Sequence, residues 1–280
     1  MKKIGFIDYY ISEWHANNYP RWIAQANEKL GTDYKVSYVW AELDVSPRDN
    51  VSTDEWCKNY GAERCGSIAE LCEKSDAVII LAPSDCEKHL QYASEALPFG
   101  KPTYIDKTFA ENFDVAKQIF DIAAKYGTKF FSSSALRYCD ELEALKNADN
   151  YILTAGGSLF EEYIIHPIEM AVLLLEDAAK RVKIEKQGAQ KLCSVETISG
   201  KHASIVFAAA LPYIIAAEDK DGNALCQNIE SSMFVNMLAD IIRFFDSGEV
   251  SFDVAQTLEA MRFRDGLLKA DECPGQWIEI

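Results

Sequence analysis

Residues 77–82 read AVIILA, apolar at every position. A strand with one wet face alternates in polarity, whereas one covered on both faces does not, so this run predicts a central strand between two helical layers. Outward from it, β-type runs recur at 4–7 (IGFI), 35–40 (KVSYVW), 103–105 (TYI) and 129–131 (KFF). Helical patterns fill the intervals at roughly 18–30, 67–74, 86–96 and 112–126. Strands alternating with helices predict βαβ units and a parallel sheet. Gly100 and Gly127 each stand after a helical run and before a strand, where a left-handed cap belongs. The fold class expected is α/β, with a Rossmann-like doubly wound sheet over residues 1–133.

After about residue 134 the rhythm changes. Short helices are expected at 140–146 and 167–175, then β-like stretches at 182–185, 191–198 and 203–209. A long helix over about 232–247 and a last one over 253–270 follow. Consecutive strands and helices in blocks predict an α+β C-terminal domain with its own β-sheet, residues 134–280. No internal repeat or low-complexity segment interrupts either part.

Composition narrows the function. The chain has 280 residues, 49% hydrophobic and 26% charged, which is the globular range. Its 28 basic against 44 acidic residues leave a net charge of −16. That field repels phosphate backbones and anionic headgroups, so neither nucleic acid nor a membrane surface is an expected partner. A small phosphate-bearing ligand stays open, because helix N-termini hold phosphate locally. The longest apolar run, 203–217, is interrupted by Pro212 and falls short of the roughly 20 residues of a membrane span. It reads as core strands with a proline-marked break. Met1-Lys2-Lys3 leads into an apolar stretch that ends at Asp8, too short for an export signal. The eight cysteines, at 57, 65, 72, 86, 139, 193, 226 and 273, have no Cys-x-x-Cys spacing and read as reduced thiols. A cytoplasmic protein is expected.

A dinucleotide-binding sheet normally turns from its first strand into its first helix through G-x-G-x-x-G, whose glycines let backbone close on a pyrophosphate. Here the stretch is IGFIDYYISEWHANNYPRW, residues 4–22, and no glycine follows Gly5 until Gly31. Asp8, Tyr10 and Glu13 stand about where the loop glycines would be. Two carboxylates there would repel a pyrophosphate and bulky side chains would hold it away. One reading is an ordinary loop. Another is a remodelled ligand site for a sugar-like or cationic group, with His15 toward the substrate and Asp8 and Tyr10 lining any cofactor crevice. A metal site from Asp8, Glu13 and His15 lacks an established ligand spacing, so no metal is expected. Glu42, just past the second strand, could hold an adenosine ribose, which slightly favours NAD over NADP; the nearest arginine for a 2′-phosphate is Arg48.

Residues 77–138 resemble the Gfo/Idh/MocA family of sugar and polyol oxidoreductases. The residues that carry the likeness are Ala82-Pro83-Ser84, Gly100-Lys101-Pro102 and Asp106-Lys107-Thr108, the last standing for the family's Glu-Lys-Pro. The likeness continues through GGSLFEEYIIHPIEMAVLLL, where Glu162 stands four residues before His166, and into the closing helices. In all it covers about residues 67–280. It implies Lys107, His166 and Glu162 as catalytic residues, with Lys107 as acid/base or oxygen-stabilising group, His166 its partner and Glu162 the orienting acid. Asp106, Lys107, Pro83 and Ser84 would line the cofactor crevice. Alcohol oxidation needs a group to take the hydroxyl proton as hydride leaves carbon, and a tuned Lys or His can do so.

Arg137 and Tyr138, at the expected domain junction, are candidates for the substrate cleft. His89 and His202 read as surface or turn residues, and Cys86 and Cys139 as buried thiols rather than nucleophiles. The function expected is an NAD(P)-dependent oxidoreductase acting on a sugar, polyol or related hydroxy compound. The alternative is a cofactor-free relative that works as a ligand-binding or regulatory protein, or as a non-redox lyase. The resemblance also implies a homo-oligomer, dimer or tetramer, paired through a sheet face to which the apolar 203–217 run would contribute.

Overall fold

In chain order the elements of the first half are β1 (Lys2–Asp8), α1 (Trp14–Leu30), β2 (Tyr34–Ala41), α2 (Thr53–Tyr60), β3 (Glu63–Arg64), α3 (Ile68–Lys74), β4 (Ala77–Ile80), α4 (His89–Ala96), β5 (Thr103–Ile105), α5 (Phe113–Tyr126) and β6 (Phe130–Ser132). The second half runs β7 (Asn150–Ala155), α6 (Phe160–Tyr163), α7 (Ile165–Leu175), β8 (Ala179–Gln187), β9 (Gln190–Thr197), β10 (His202–Phe207), β11 (Ile214–Glu218), β12 (Ala224–Asn228), α8 (Met233–Ser247), α9 (Ala255–Glu272) and β13 (Trp277–Glu279). This computed structural model describes residues 1–280 except 147 and 220.

The first compact unit comprises Met1–Ser133 and Phe234–Val254. Its sheet has the order β3-β2-β1-β4-β5-β6, and every pairing in it is parallel. The chain thus winds outward in both directions from β1 and β4, the doubly wound arrangement expected. All four residues of β4 are buried, as the apolar run required. Gly5 lies inside β1 because α3 passes close: a Cβ there would stand 2.4 Å from Leu71 Cδ2 and 2.5 Å from Ser75 Oγ. The helices start and stop where local chemistry directs. Asn112 caps α5 by accepting from Val115 N at 3.0 Å, and Gly127 closes it in the left-handed region.

The one departure in domain organisation is α8, expected with the second domain. Its apolar stripe of Met237, Leu238, Ile241, Ile242, Phe244 and Phe245 is buried. Phe244 meets Phe131 edge-on at 5.0 Å, and Phe245 meets Tyr34 at 5.9 Å, so the stripe is buried on the first sheet's side chains.

The second unit comprises Ser134–Met233 and Ala255–Ile280. Its sheet has the order β12-β11-β7-β10-β9-β8-β13, in which β7 and β10 run parallel and the other pairings are antiparallel. Helices α7 and α9 pack against each other and against this sheet. The proline-marked break holds: β10 ends at Phe207 and β11 begins at Ile214, either side of Pro212. Strands β3, β7, β12 and β13 and helices α2 and α6 were not anticipated from the sequence. No helix among the described residues is long and apolar enough to cross a membrane.

Candidate functional site

In the first unit the strand order reverses between β1 and β4, and the carboxyl ends of those strands frame the crevice where open α/β sheets bind ligands. Asp8, the last residue of β1, spans that gap. Its Oδ1 accepts from Tyr9 N at 2.7 Å and from Ala82 N at 3.0 Å. Ala82 holds φ of 60°, a left-handed conformation that costs an alanine free energy and that the Asp8 bond helps retain. Asp8 is 1% exposed, and its Oδ2 has no hydrogen-bond partner among the described residues. Burial, and then the nearby Glu13 charge, push its carboxyl well above the usual range. The expected repulsion from two carboxylates is therefore corrected at one of them, since Asp8 is driven toward its neutral acid.

Glu13 is the N-cap of α1. Its carboxylate accepts from His15 N at 2.7 Å and from Ala16 N. These are the free amides at the helix start, the donors that a bound anion would use. Burial raises the Glu13 carboxyl as well, opposed by the His15 imidazole.

Behind the cap lies a buried polar cluster. His15 Nδ1 sits 2.5 Å from Asp106 Oδ2, and Tyr19 OH donates to Asp106 Oδ1 at 3.2 Å. Tyr104 reaches the same Oδ1 at 3.4 Å and the Ser133 carbonyl at 2.7 Å. The His15 ring stacks on Tyr19 at 5.3 Å. Burial would raise Asp106, but the His15 charge and hydrogen bond prevail and hold it below the usual carboxylate range. An ionised carboxylate that orients an imidazole is an arrangement suited to proton transfer. Neither the pairing of His15 with Asp106 nor the part of Tyr19 was legible beforehand, because their contact spans 91 residues.

The crevice walls carry the other expected residues. Tyr10 OH accepts from Arg48 Nε at 2.7 Å, and Arg48 Nη2 reaches Ser84 Oγ at 3.4 Å. Glu42 accepts from Lys88 Nζ at 2.7 Å and from Tyr92 OH at 2.8 Å, and the Lys88 bond holds its carboxyl below the usual range. Lys107, two residues past β5, donates to the Pro83 carbonyl at 3.1 Å and forms no ion pair among the described residues. Asp106, Lys107, Pro83 and Ser84 thus follow β4 and β5 at the carboxyl edge of the sheet.

In the second unit, His166 lies in the first turn of α7 and its Nδ1 meets Ser134 Oγ at 2.7 Å. No local pattern foretells the pairing of Ser134 with His166, 32 residues away. Glu162 lies on the preceding α6. The rings of Tyr163 and Tyr213 stand 5.9 Å from His166 on two sides. Arg137 departs from expectation. It is buried, its Nε and Nη2 lie 2.8 and 2.6 Å from Glu169 Oε2, and its Nη1 donates to Gln256 Oε1 at 2.5 Å. Its guanidinium serves an internal ion pair, whereas Tyr138 beside it stays partly exposed. His89 is corrected too: it is fully buried against the Phe109 and Leu81 carbonyls, because α4 turns it into the core. His202 is exposed at the start of β10. Burial pushes the Cys139 thiol up to about 12, which suits a core thiol and not a nucleophile.

The fold thus comprises a doubly wound 3-2-1-4-5-6 sheet in one unit and a seven-stranded, mostly antiparallel sheet in the other. Solved structures of that fold match this chain along nearly its whole length. A protein described as a probable dehydrogenase from Thermotoga maritima superposes with a TM-score of 0.81 at 12% identity, covering 99% of this chain and 98% of that one. The scyllo-inositol dehydrogenase of Lactobacillus casei, solved with NAD(H) and scyllo-inositol, gives 0.80 at 13%, with 99% and 98% covered. The myo-inositol dehydrogenase of Lactobacillus casei, solved with NAD(H) and myo-inositol, gives 0.78 at 13%, with 100% and 96% covered. No protein-family model and no curated protein sequence matches the chain.

For a dinucleotide, residues of suitable chemistry stand at two places along the carboxyl edge, and the helix amides between them are occupied by Glu13. Glu42 stands past the end of β2, where a ribose hydroxyl is held, and Lys107 stands past β5. The amides of His15 and Ala16, donors that a diphosphate would use, are taken by Glu13.

Proposed function

We propose that the chain is an NAD(P)-dependent oxidoreductase that transfers hydride between a nicotinamide cofactor and a sugar, polyol or related hydroxy compound, with NAD preferred. The observation that carries this reading is Lys107, an ammonium with no carboxylate paired to it among the described residues, next to the ionised, buried Asp106 at the carboxyl edge of a dinucleotide-type sheet. The bound cofactor would supply the hydride acceptor. What the chain's own residues contribute is proton handling. Lys107 Nζ takes the hydroxyl proton in the oxidising direction, as the free amine, or donates one to the substrate oxygen in the reducing direction, as the ammonium. His166, with Nδ1 held by Ser134, is the second proton-transfer group, and Glu162 supports it. Glu42 at a ribose position favours NAD. The full-length likeness to NAD(H)-bound inositol dehydrogenases supports the same class of chemistry and a sugar-like substrate.

A second reading, a cofactor-free binding protein or lyase, is favoured by one observation, the Glu13 carboxylate on the α1 amides. Titration with NADH and NADPH, followed by energy transfer from tryptophan to nicotinamide, separates the two. Micromolar binding is expected, followed by turnover of a polyol from a screened panel. Absence of binding up to millimolar, with no cofactor carried through purification, would remove the oxidoreductase reading. We also read the protein as a cytoplasmic homo-oligomer, dimer or tetramer. Eight free cysteines suit a reducing compartment, and light scattering showing a strict monomer at working concentration would end the oligomer reading.

A further inference from the structure

The N-terminus of α1 opens at the carboxyl edge of the first sheet, and the chain fills it with its own side chain. Glu13 Oε2 takes His15 N at 2.7 Å and Oε1 takes Ala16 N. The helix behind is 17 residues long, and no acidic residue other than this cap stands in its first turn. A carboxylate on these amides satisfies the same donors and the same dipole that a phosphate would. A second feature of the same corner is unsatisfied. Asp8 Oδ2 is buried with no partner among the described residues, and Glu13 is the largest charge acting on it. The corner therefore holds a filled anion seat beside an unfilled polar atom, where dinucleotide-binding sheets carry glycine backbone.

We infer that Glu13 is the specificity-determining residue of this crevice, a latch that occupies the diphosphate seat and must leave α1 before a dinucleotide binds. The inference rests on the dinucleotide reading of the crevice and assigns it a ligand preference. Groups without phosphate meet no competitor, whereas any diphosphate competes with a covalently tethered carboxylate. The chain accordingly binds the nucleoside part of its cofactor as well as an unlatched protein would, and the intact dinucleotide less well.

The test compares wild type with Glu13→Ser and Glu13→Gln in the full chain, using NADH, ADP-ribose and adenosine as probes in calorimetry. Serine is a preferred N-cap, so the first variant keeps the helix start while it removes the tethered charge. Glutamine keeps the length but loses the charge and one of the two acceptor oxygens. Circular dichroism establishes that each variant is folded. Glu13→Ser is expected to bind NADH and ADP-ribose at least tenfold more tightly than wild type, with Glu13→Gln between them and adenosine unchanged in all three. Equal NADH affinity in the folded variants and wild type overturns the latch and leaves the dinucleotide reading standing. A parallel gain for adenosine overturns it too, because the effect would then not reside at the diphosphate. No binding of NADH or ADP-ribose by any of the three overturns the latch together with the dinucleotide reading.

Discussion

Asp8 and Lys107 show how single side chains set what the crevice can do. Asp8 is buried, and burial raises its carboxyl in the folded protein. A carboxyl raised on folding lends stability below its unfolded pKa of about 3.9 and loses that contribution as pH climbs through the folded value. Asp8→Asn keeps the acceptor for Tyr9 and Ala82 without the ionisation. The variant's unfolding free energy relative to wild type should therefore rise from pH 4 upward and level off above the folded pKa. Urea denaturation across that range checks it, and a difference independent of pH would contradict the buried-acid account. Lys107→Met should lower kcat/KM on a confirmed substrate by about 10²–10⁴-fold, the usual contribution of a positioned acid or base. Unchanged turnover would remove Lys107 from the reaction.

Elements are held in place by a few close approaches. Strand β1 can lie against α3 because residue 5 has no side chain. Gly5→Ala would drive a Cβ into Leu71 and Ser75 and should destabilise the fold by about 1–3 kcal/mol, as overpacked cores do. Thermal or chemical denaturation reads this directly, and an unchanged midpoint would mean that α3 shifts without cost. In the second unit, the 3-10 turn at Ala135–Tyr138 is tied to α7 by Arg137 and Glu169. Removing one partner strands the other charge in the core. Arg137→Met is thus expected to destabilise by about 3–5 kcal/mol, and a loss below 1 kcal/mol would return Arg137 to the list of ligand-facing groups.

At the scale of the whole molecule the dominant fact is the net charge of −16. An anionic dinucleotide approaching this surface is repelled until salt screens the field, over a distance of about 10 Å at 0.1 M. Stopped-flow association of NADH should accordingly speed up between low and physiological salt, opposite to proteins that attract phosphates with a basic surface. A rate that falls with salt would point to local positive groups, such as Arg48 and Lys88, outweighing the overall charge.

Local pattern determined much of this protein. AVIILA at 77–82 and the alternating runs around it specify a doubly wound sheet, because a strand covered on both faces has no polar positions to spare. The missing glycines were equally plain, and so was the placement of Lys107 and His166 near element ends. Tertiary structure decided the rest. The apolar stripe of α8 could have been buried on either sheet, and only the packing of Phe244 against Phe131 assigns it to the first. Strand β12 exposes three of its five residues and has too little apolar alternation to announce itself. The pairing of His15 with Asp106, Ser134 with His166 and Arg137 with Glu169 joins residues at least 32 positions apart. Hydrogen bonds over such separations depend on how elements are brought together, which no local periodicity encodes. The sequence put Glu13 about where loop glycines would stand, but its grip on the α1 amides depends on where the folded helix begins.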